Sequence, residues 1–186
     1  MDFNAFSHGQ IESKLWLCEK LEKHIVNQSN LCVLGCWYNV TGFLLLTRNK
    51  NLYKSITGID FDVENFNTAN KINNAFVYEN KLQNICLDVN NADLDDYDCI
   101  ISTSTEDIQD TNWFNNIKTG TLVCLQSLNL TPDDIVGYDN WEILNPNETF
   151  DDFRNKYSLN KILFEGTKDF DYGNLKYQRF MLIGIK

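Results

Sequence analysis

Residues 31–42 read LCVLGCWYNVTG, and this stretch decides the fold. Its first four residues are all apolar, which is typical of a short strand buried on both faces of a parallel sheet. Gly35 follows at once, and a glycine at that point lets the backbone turn sharply and approach a ligand closely. Residues 40–46 then resume an apolar pattern that suits a helix packed on the sheet. The stretch therefore predicts a strand, a tight turn and a helix.

The same alternation continues along the chain and predicts a seven-stranded sheet. Further strands are predicted at 55–59, 84–87, 98–102, 121–125, 161–164 and 179–185. Helices are predicted at 10–26, 64–72, 108–117 and 149–157, with a loop at 128–147. Ser7 is the expected N-cap of the first helix, and Gln10 is expected to complete a capping box.

Strands that alternate with helices imply right-handed crossovers and a mainly parallel sheet. Only a loop containing Gly166 and Gly173 is expected between the last two strands, which leaves no room for a helix. The last two strands should therefore pair antiparallel at one edge of the sheet. The prediction is an α/β fold with a mostly parallel sheet and an antiparallel C-terminal strand.

Composition narrows the classes of function. The net charge of -10 disfavours broad binding of nucleic acids, whose phosphates are also negative. Six cysteines lie mostly within apolar runs, no CxxC pair occurs and only two histidines are present, so no metal site is expected. Neither a signal peptide nor an apolar run of roughly 18 residues is visible. We expect a cytoplasmic protein that does not bind membranes.

Candidate ligand-binding residues lie at the ends of four predicted strands, at the edge where parallel α/β sheets bind ligands: Gly35 at the first, and polar residues at the next three. Asp60 has the position of an acid that accepts both hydrogen bonds of a ribose diol, although it is equally suited to cap the next helix. Asp88 can accept from an adenine amino group, or it can simply form a turn. Ser102 opens the run STSTED, which binds a ligand or caps a helix. The joint placement on consecutive strand ends favours a ligand site.

At this point the chain resembles class I S-adenosylmethionine-dependent methyltransferases. The matching segments are VLG at 33–35, GID at 58–60, Asp88, YDCII at 97–101 and the two terminal strands. The chain is also similar to small virus-encoded and bacterial proteins of this class that carry a Leu-Gly-x-Trp-Tyr element. The resemblance implies a Rossmann-like class I methyltransferase fold, with S-adenosyl-L-methionine as cofactor.

The resemblance also implies an organisation of the chain and a set of site residues. Residues 1–186 are expected to form one domain, in which a lid helix at 1–30 precedes the cofactor-binding sheet at 31–186. Lys14 is expected to pair with the cofactor carboxylate beside Gln10, unless these residues belong to a solvated helix face. The residues expected to bind the cofactor are Gly35, Cys36, Trp37, Asp60, Phe61, Asp88, Val89, Ser102, Lys14 and Gln10.

Glu106 is the best-placed catalytic base for an acceptor that has a proton to lose. Its structural alternative is an acid in the first turn of a helix, stabilised by the helix dipole. Trp37 and Tyr38 are expected either to cover the cofactor sulfonium by a cation–π contact or to pack over the sheet edge.

Two departures from the family pattern bear on the reaction. Cys36 and Asn39 stand where further glycines are usual, and Trp37 and Tyr38 add bulk to the first loop. The fourth strand is followed by Ser-Thr-Ser-Thr instead of an Asn/Asp-Pro-Pro-Tyr element, so methylation of a nucleic-acid base amine is unsupported.

The expected function is methyl transfer to a small molecule or to a protein side chain. One alternative is a regulatory protein that binds S-adenosylmethionine without transferring its methyl group. A second is an enzyme that cleaves the cofactor without methylating anything. The compartment would be the host cytoplasm if the protein is viral, and the oligomeric state is left open.

Overall fold

The structure, a computed structural model, describes residues 2–136, 142–171 and 175–186. The strands are β1 (Ser29–Leu34), β2 (Tyr53–Asp60), β3 (Leu82–Cys86), β4 (Cys99–Ser102), β5 (Leu122–Leu128), β6 (Lys161–Asp171) and β7 (Lys176–Ile185). The α-helices are α1 (His8–Leu21), α2 (Val40–Asn49), α3 (Val63–Ile72), α4 (Asn74–Tyr78), α5 (Asn112–Asn115) and α6 (Phe150–Lys156). Short 3-10 helices lie at Phe3–Phe6, Lys50–Leu52, Val89–Asn91, Thr105–Asp107 and Pro132–Ile135.

The strands form one sheet in the order β3-β2-β1-β4-β5-β7-β6. The first five in that order are parallel, and β7 runs antiparallel to both of its neighbours. This confirms the predicted α/β fold with a seven-stranded, mostly parallel sheet. Leu34 is in register with Ile59 on one side and Ser102 on the other, so the carboxyl ends of β2, β1 and β4 lie along one edge.

Apolar residues cover both faces of the sheet, which is why the central strands read as continuous apolar runs. Val33 points to the face that is covered by α1 and α2. Leu34 points to the opposite face, where Trp113 of α5 and Phe153 of α6 are fully buried. Burying a Leu or Phe side chain contributes about 1.5–3 kcal/mol, so each layer adds substantially to stability.

Helix α1 is part of the core. Leu17, Cys18 and Leu21 have no solvent-exposed surface and pack in the same layer as β1 and α2. Removing residues 1–30 would strip these side chains from the sheet and expose the apolar surface beneath them. We therefore expect the sheet to depend on α1, and to be unstable in a chain that begins at Leu31.

Two predictions are wrong, one about the capping box at the start of α1 and one about the extent of β6. Ser7 is the N-cap of α1, but its side chain makes no capping hydrogen bond and no capping box forms. Gln10 instead accepts a hydrogen bond from Lys14 Nζ one turn later. Gly166 lies inside β6, not in a loop, because antiparallel pairing with β7 continues from Lys161 to Asp171. Gly173 lies outside the described residues.

The predicted helix at 108–117 shrinks to Asn112–Asn115. The Trp113 side chain is buried, and its indole Nε1 donates to the carbonyl oxygen of Asp110 at 3.0 Å. That carbonyl would bond the amide of Phe114 in a continuous α-helix, but the amide of Phe114 donates to Thr111 instead. Burial of the indole thus overrides a weak helical pattern.

Gly58 of β2 tests how tightly the first loop packs on the sheet. A Cβ at this position would crowd Asn39 Nδ2 and would lie 2.7 Å from Asn84 Oδ1 and 2.8 Å from Cys36 Sγ. We expect Gly58→Ala to lower the free energy of unfolding by about 1–3 kcal/mol, measured by urea denaturation. Gly166→Ala is the matched control, because the three atoms nearest to its Cβ would all belong to the Phe164 ring, the closest at 3.1 Å. Equal effects of the two changes would contradict this prediction.

Candidate functional site

The loop between β1 and α2 adopts an uncommon backbone conformation. Gly35, Trp37 and Asn39 have φ angles of 57°, 51° and 50°, in the left-handed region that favours glycine. The amide of Cys36 donates to the carbonyl oxygen of Ile59 at 3.1 Å. The amide of Trp37 donates to Asp60 Oδ2 at 2.8 Å. These two bonds join the loop to the end of β2 and hold two non-glycine residues in a strained conformation.

Asn39 replaces an expected glycine and has a structural task. Its Oδ1 accepts from the amide of Gly42 at 3.1 Å and so caps α2. Its Nδ2 donates to Asn84 Oδ1 at 2.9 Å, and Asn84 Nδ2 donates to Asn70 Oδ1 at 3.0 Å. This chain of amides fixes the loop against β3 and α3.

The Cys36 side chain packs in the core beneath α2 and does not face the sheet edge. Burial raises the pKa of its thiol well above the usual value, so the sulfur is not an activated nucleophile. Only the backbone of Cys36 is placed to contact a ligand at the sheet edge.

Asp60 ends β2, and its carboxylate is largely engaged within the protein. Oδ2 accepts from the Trp37 amide, while Oδ1 accepts from the amide of Asp62 at 3.1 Å and from Asn65 Nδ2 at 3.2 Å. A carboxylate has about four acceptor positions, so Asp60 offers a ligand one more without rearrangement. A second becomes available if the Asn65 side chain rotates. The expectation that Asp60 accepts both ribose hydrogen bonds thus requires that rotation.

Asp60 is not the cap of α3, because Asp62 accepts from the amide of Glu64 at 2.7 Å in that role. Phe61, which lies between these two acids in the sequence, exposes 78% of its surface and presents an apolar ring to solvent. An exposed ring next to a buried carboxylate is a suitable flank for a flat, partly polar ligand.

Asp88 and Val89 lie just beyond β3, and the amide of Leu87 donates to the carbonyl oxygen of Asp60 at 2.9 Å. The exposed Asp88 accepts from the amide of Asn90 at 2.9 Å, which is the turn chemistry that was the alternative to ligand binding. Val89 is buried against the core on the α5 side, so its side chain does not face solvent.

A second group of polar side chains lies where β4, β5, β7 and α1 meet, and we call it the polar cluster. Every member is at least nine-tenths buried. Its members are Ser13, Lys14, Ser102, Glu106, Gln126, Ser127, Asn147 and Arg179.

Hydrogen bonds join parts of the cluster across the fold. Ser13 Oγ donates to Gln126 Oε1 at 3.3 Å, which ties α1 to β5. Asn147 Nδ2 donates to Ser127 Oγ at 2.7 Å. Arg179 Nη1 donates to the carbonyl oxygen of Thr103 at 2.9 Å, so β7 reaches over the end of β4.

Four buried atoms of the cluster have no hydrogen-bond partner among the described residues. They are Ser102 Oγ, Glu106 Oε2, Asn147 Oδ1 and Arg179 Nε. Buried polar atoms in folded proteins nearly always have a partner, so a concentration of exceptions at the ligand-binding edge points to a ligand or water site.

Charges within the cluster perturb one another. Burial, followed by the nearby Asp107 carboxylate, raises the pKa of Glu106 to about 8, while Arg179 acts in the opposite direction. Burial, followed by repulsion from Arg179, lowers the pKa of Lys14 to about 7, against the attraction of Glu106. Two titratable groups with pKa values near neutrality in one cluster are a common sign of a functional site.

The structure thus sorts the predicted residues into two groups. Gly35, Trp37, Asp60 and Phe61 lie together around the first loop. Lys14 and Glu106 lie in the polar cluster, which Ser102 connects to β1.

Sequence reasoning missed Arg179, Gln126, Ser127 and Asn147. The one available signal was Arg179, a lone cation at the start of the otherwise apolar segment FMLIGI. A charge in a strand that is about to be buried needs a partner, and that requirement could have marked it.

Other features lie away from this edge. A cavity of about 420 Å³ opens at the amino ends of the parallel strands, between residues 24–29 and Asp98. In the described parts of the chain, no group of three or more His, Cys, Asp or Glu side chains is arranged to hold a metal ion. None of the described helices combines the length and apolar character needed to cross a lipid bilayer.

The strain at Trp37 gives a test of the loop. An L-residue in the left-handed region costs about 1–2 kcal/mol, and only glycine avoids that cost. We expect Trp37→Gly to be more stable than Trp37→Ala by about 1 kcal/mol, because both lose the ring packing on Tyr38 but only alanine keeps the strain. Guanidinium denaturation of the two variants measures the difference. An alanine variant that equals or exceeds the glycine variant would show that the loop relaxes.

Comparison with solved structures agrees with this architecture. The YcgJ protein of Bacillus subtilis aligns with a TM-score of 0.68 and 10% identity, covering 95% of this chain and 98% of that one. Geranyl diphosphate C-methyltransferase of Streptomyces coelicolor A3(2), in complex with Mg²⁺, geranyl-S-thiolodiphosphate and S-adenosyl-L-homocysteine, aligns with a TM-score of 0.67 and 9% identity, covering 94% and 76%.

A candidate sarcosine dimethylglycine methyltransferase of Galdieria sulphuraria aligns with a TM-score of 0.55 and 16% identity, over 64% of this chain. The chain spans less than half of that protein, 46% of its length. No protein-family model and no curated protein sequence matches the chain. At these identities the likeness establishes the fold alone: the chain has the Rossmann-like fold of class I methyltransferases.

Proposed function

We propose that the protein is an S-adenosylmethionine-dependent methyltransferase that acts on a small molecule. The observation that carries the proposal is the adjacency of two sites at one sheet edge. The first site is formed by the loop after β1 together with Asp60 at the end of β2. The second site, the polar cluster, begins at Ser102, which is in register with Leu34, the last residue of β1. A cofactor and an acceptor held in these two places would be neighbours, and proximity is the main requirement of methyl transfer.

The residues around the first loop fit S-adenosylmethionine. A Cβ at Gly35 would lie 3.9 Å from Ile108 Cδ1, its nearest contact among the described residues outside the loop, so the backbone there is open to a ligand. Asp60 would hold the ribose, with Asn65 as the side chain that moves, and the exposed Phe61 would flank the adenine. Structures of similar fold contain S-adenosylmethionine or S-adenosyl-L-homocysteine, which supports the same choice of cofactor.

S-adenosylmethionine, when bound, would supply an activated methyl group to a lone pair of the acceptor, and the electrons of the broken carbon–sulfur bond would stay on sulfur. The protein must then orient the acceptor and take up any proton that it loses. Glu106 is the buried carboxyl group of the polar cluster and would accept this proton. Its raised pKa gives its carboxylate enough basicity to do so near neutral pH. Lys14 and Arg179 would orient the acceptor through its polar groups.

Burial favours a small acceptor over a protein side chain. The polar atoms that would contact the acceptor lie inside the fold, with Glu106 only 1% exposed. A long chain bearing the acceptor group would have to displace both α1 and residues 142–147. A molecule of few atoms requires a smaller displacement.

A second function, cofactor binding without transfer, is favoured by the first loop. Trp37 adds bulk to the first loop, and this bulk would narrow the space between a cofactor and an acceptor. A regulatory protein would need the Asp60 site but would have no need of an accessible Glu106.

Isothermal titration with S-adenosylmethionine, followed by an assay for S-adenosyl-L-homocysteine in the presence of small-molecule extract, separates these functions. Methyl transfer requires both binding and extract-dependent product. Binding without product supports the regulatory protein, and cofactor loss without S-adenosyl-L-homocysteine supports a cleaving enzyme. Absence of binding at millimolar cofactor would overturn the proposal.

A further inference from the structure

Arg179 and Glu106 are a buried pair of opposite formal charge that do not bond each other closely. The distance from Arg179 Nη1 to Glu106 Oε1 is 3.7 Å, whereas a charge-assisted hydrogen bond measures about 2.7–2.9 Å. Arg179 Nε and Glu106 Oε2 both lack a partner among the described residues. Each group therefore keeps an unused hydrogen-bonding atom in the interior of the protein.

The charges of the cluster show which chemistry is missing. Arg179 brings a guanidinium group into the interior, where it is 3% exposed. The Glu106 carboxyl group, 3.7 Å away, does not pair closely with it. Lys14 is also buried in the cluster, and the Asp107 carboxylate lies near both Lys14 and Glu106. A buried guanidinium without a closely paired carboxylate is costly, and a carboxylate that pairs with it in two-bond geometry reduces that cost.

Two of the remaining atoms without a partner need a hydrogen-bond donor. Glu106 Oε2 and Asn147 Oδ1 are acceptors, and Asn147 is held in place by its bond to Ser127. They would accept from an N–H or O–H group. A ligand that satisfies both ends must therefore carry a carboxylate and, within a few atoms, an amine or a hydroxyl.

We propose that the polar cluster binds a small amino acid or hydroxy acid, with its carboxylate on Arg179 and its amine or hydroxyl on Glu106 and Asn147. This inference rests on the proposed function, for which it names the class of acceptor. The amine or hydroxyl beside Glu106 is then the group that receives the methyl group.

The cluster is closed to solvent, so binding includes a conformational step. The amides of Leu144 and Asn145 both donate to the carbonyl oxygen of Glu106, at 2.9 Å, and hold this segment against the backbone that carries Glu106. Association should therefore be slower than the typical range for preformed sites.

Four probes test the inference in the full-length protein without cofactor: glycine, glycolate, acetate and ethanolamine. Glycine or glycolate carries both required groups, acetate has only the carboxylate and ethanolamine has only the donors. We expect glycine or glycolate to bind at least tenfold more tightly than acetate by calorimetry, and ethanolamine not to bind. Equal affinity for acetate and for both two-group probes, or no binding of any acid, would overturn the inference.

Variants locate the site. Arg179→Met should weaken binding of the acids at least tenfold, and Glu106→Gln should reduce the preference over acetate. Arg154→Met and Glu165→Gln are matched controls, because these residues form a surface ion pair at 3.1 Å. If Arg179→Met shows no cooperative unfolding transition, Arg179→Lys replaces it, since lysine keeps the charge but loses the planar fork. Acid binding that Arg179 and Glu106 variants leave unchanged would place the ligand elsewhere and overturn the inference.

Cofactor titration of the same proteins keeps the two proposals separate. Loss of acid binding with intact S-adenosylmethionine binding would overturn the acceptor class alone. Intact acid binding without any S-adenosylmethionine binding would overturn methyl transfer and leave the acid site standing.

Discussion

Replacing Glu106 by Gln should lower methyl transfer at least 100-fold while the affinity for S-adenosylmethionine stays within twofold. Glutamine has the size of glutamate but cannot accept the acceptor's proton, and general base catalysis contributes typically 10²–10⁴-fold. Glu106 lies in the polar cluster, whereas the residues proposed to hold the cofactor lie around the first loop and Asp60. Turnover of the identified acceptor and calorimetry with the cofactor measure the two effects separately. Unchanged turnover would assign Glu106 a structural role.

The same variant should change the dependence of rate on pH. Only the deprotonated carboxylate can accept a proton, and the pKa of Glu106 is raised to about 8, mainly by burial. The wild-type rate should therefore rise with pH until about 8 and then level off. Glu106→Gln should remove this rise. A rise of the same midpoint in the variant would assign it to another group, with Lys14 the first alternative.

Stability should also depend on pH, with a sign that follows from the direction of each shift. The folded state keeps the Glu106 proton up to about pH 8, whereas the unfolded state releases it near 4.5, so stability falls as pH rises through this window. Lys14 has the opposite effect, since its lowered pKa makes stability rise between about 7 and 10.5. Wild type should therefore lose stability relative to Glu106→Gln from pH 5 to pH 8, when the free energy of unfolding of each protein is measured by urea denaturation. A difference that is independent of pH would contradict the buried, protonated state.

Replacing Asp60 by Ala should weaken S-adenosylmethionine binding at least tenfold, because hydrogen bonds to a charged group contribute about 1.5–3 kcal/mol each. The structure adds a second effect that the sequence did not indicate. The carboxylate also accepts the Trp37 amide at 2.8 Å, so its removal leaves a strained loop without its anchor and should lower the melting temperature.

Asp60→Asn separates binding from loop stability. The asparagine side chain keeps an oxygen for the Trp37 amide but loses the charge that strengthens bonds to a ribose. Its amide nitrogen would replace Oδ1, which accepts from the Asp62 amide and from Asn65 Nδ2, so those two bonds are lost. We expect a clear loss of cofactor affinity with a smaller fall in melting temperature than Asp60→Ala gives. Wild-type affinity in this variant would remove Asp60 from the site. Asp62 would be a poor substitute, because its carboxylate already caps α3 through the amide of Glu64.

The sequence by itself determined the architecture and the position of the edge where ligands bind. Runs such as Leu31–Leu34 and the segment at 122–125 are apolar on both faces, and this local property marks them as buried parallel strands. Asp60 directly follows a predicted strand and Ser102 ends another, so their place at the carboxyl edge also follows from the sequence. The sequence did not determine where each strand ends. In β6, pairing with the distant β7 continues the strand through Gly166, where a loop was predicted.

Only the tertiary structure decided which polar side chains became buried together. Arg179 and Glu106 are far apart in the chain, and they meet because β7 inserts beside β5 and reaches the loop after β4. The sequence pattern is also consistent with Lys14 on a solvated helix face. The packing of α1 on the sheet buries its side chain instead. Such contacts depend on strand order and register, which a local pattern does not encode. Their low-dielectric surroundings then set the pKa values on which the proposed chemistry depends.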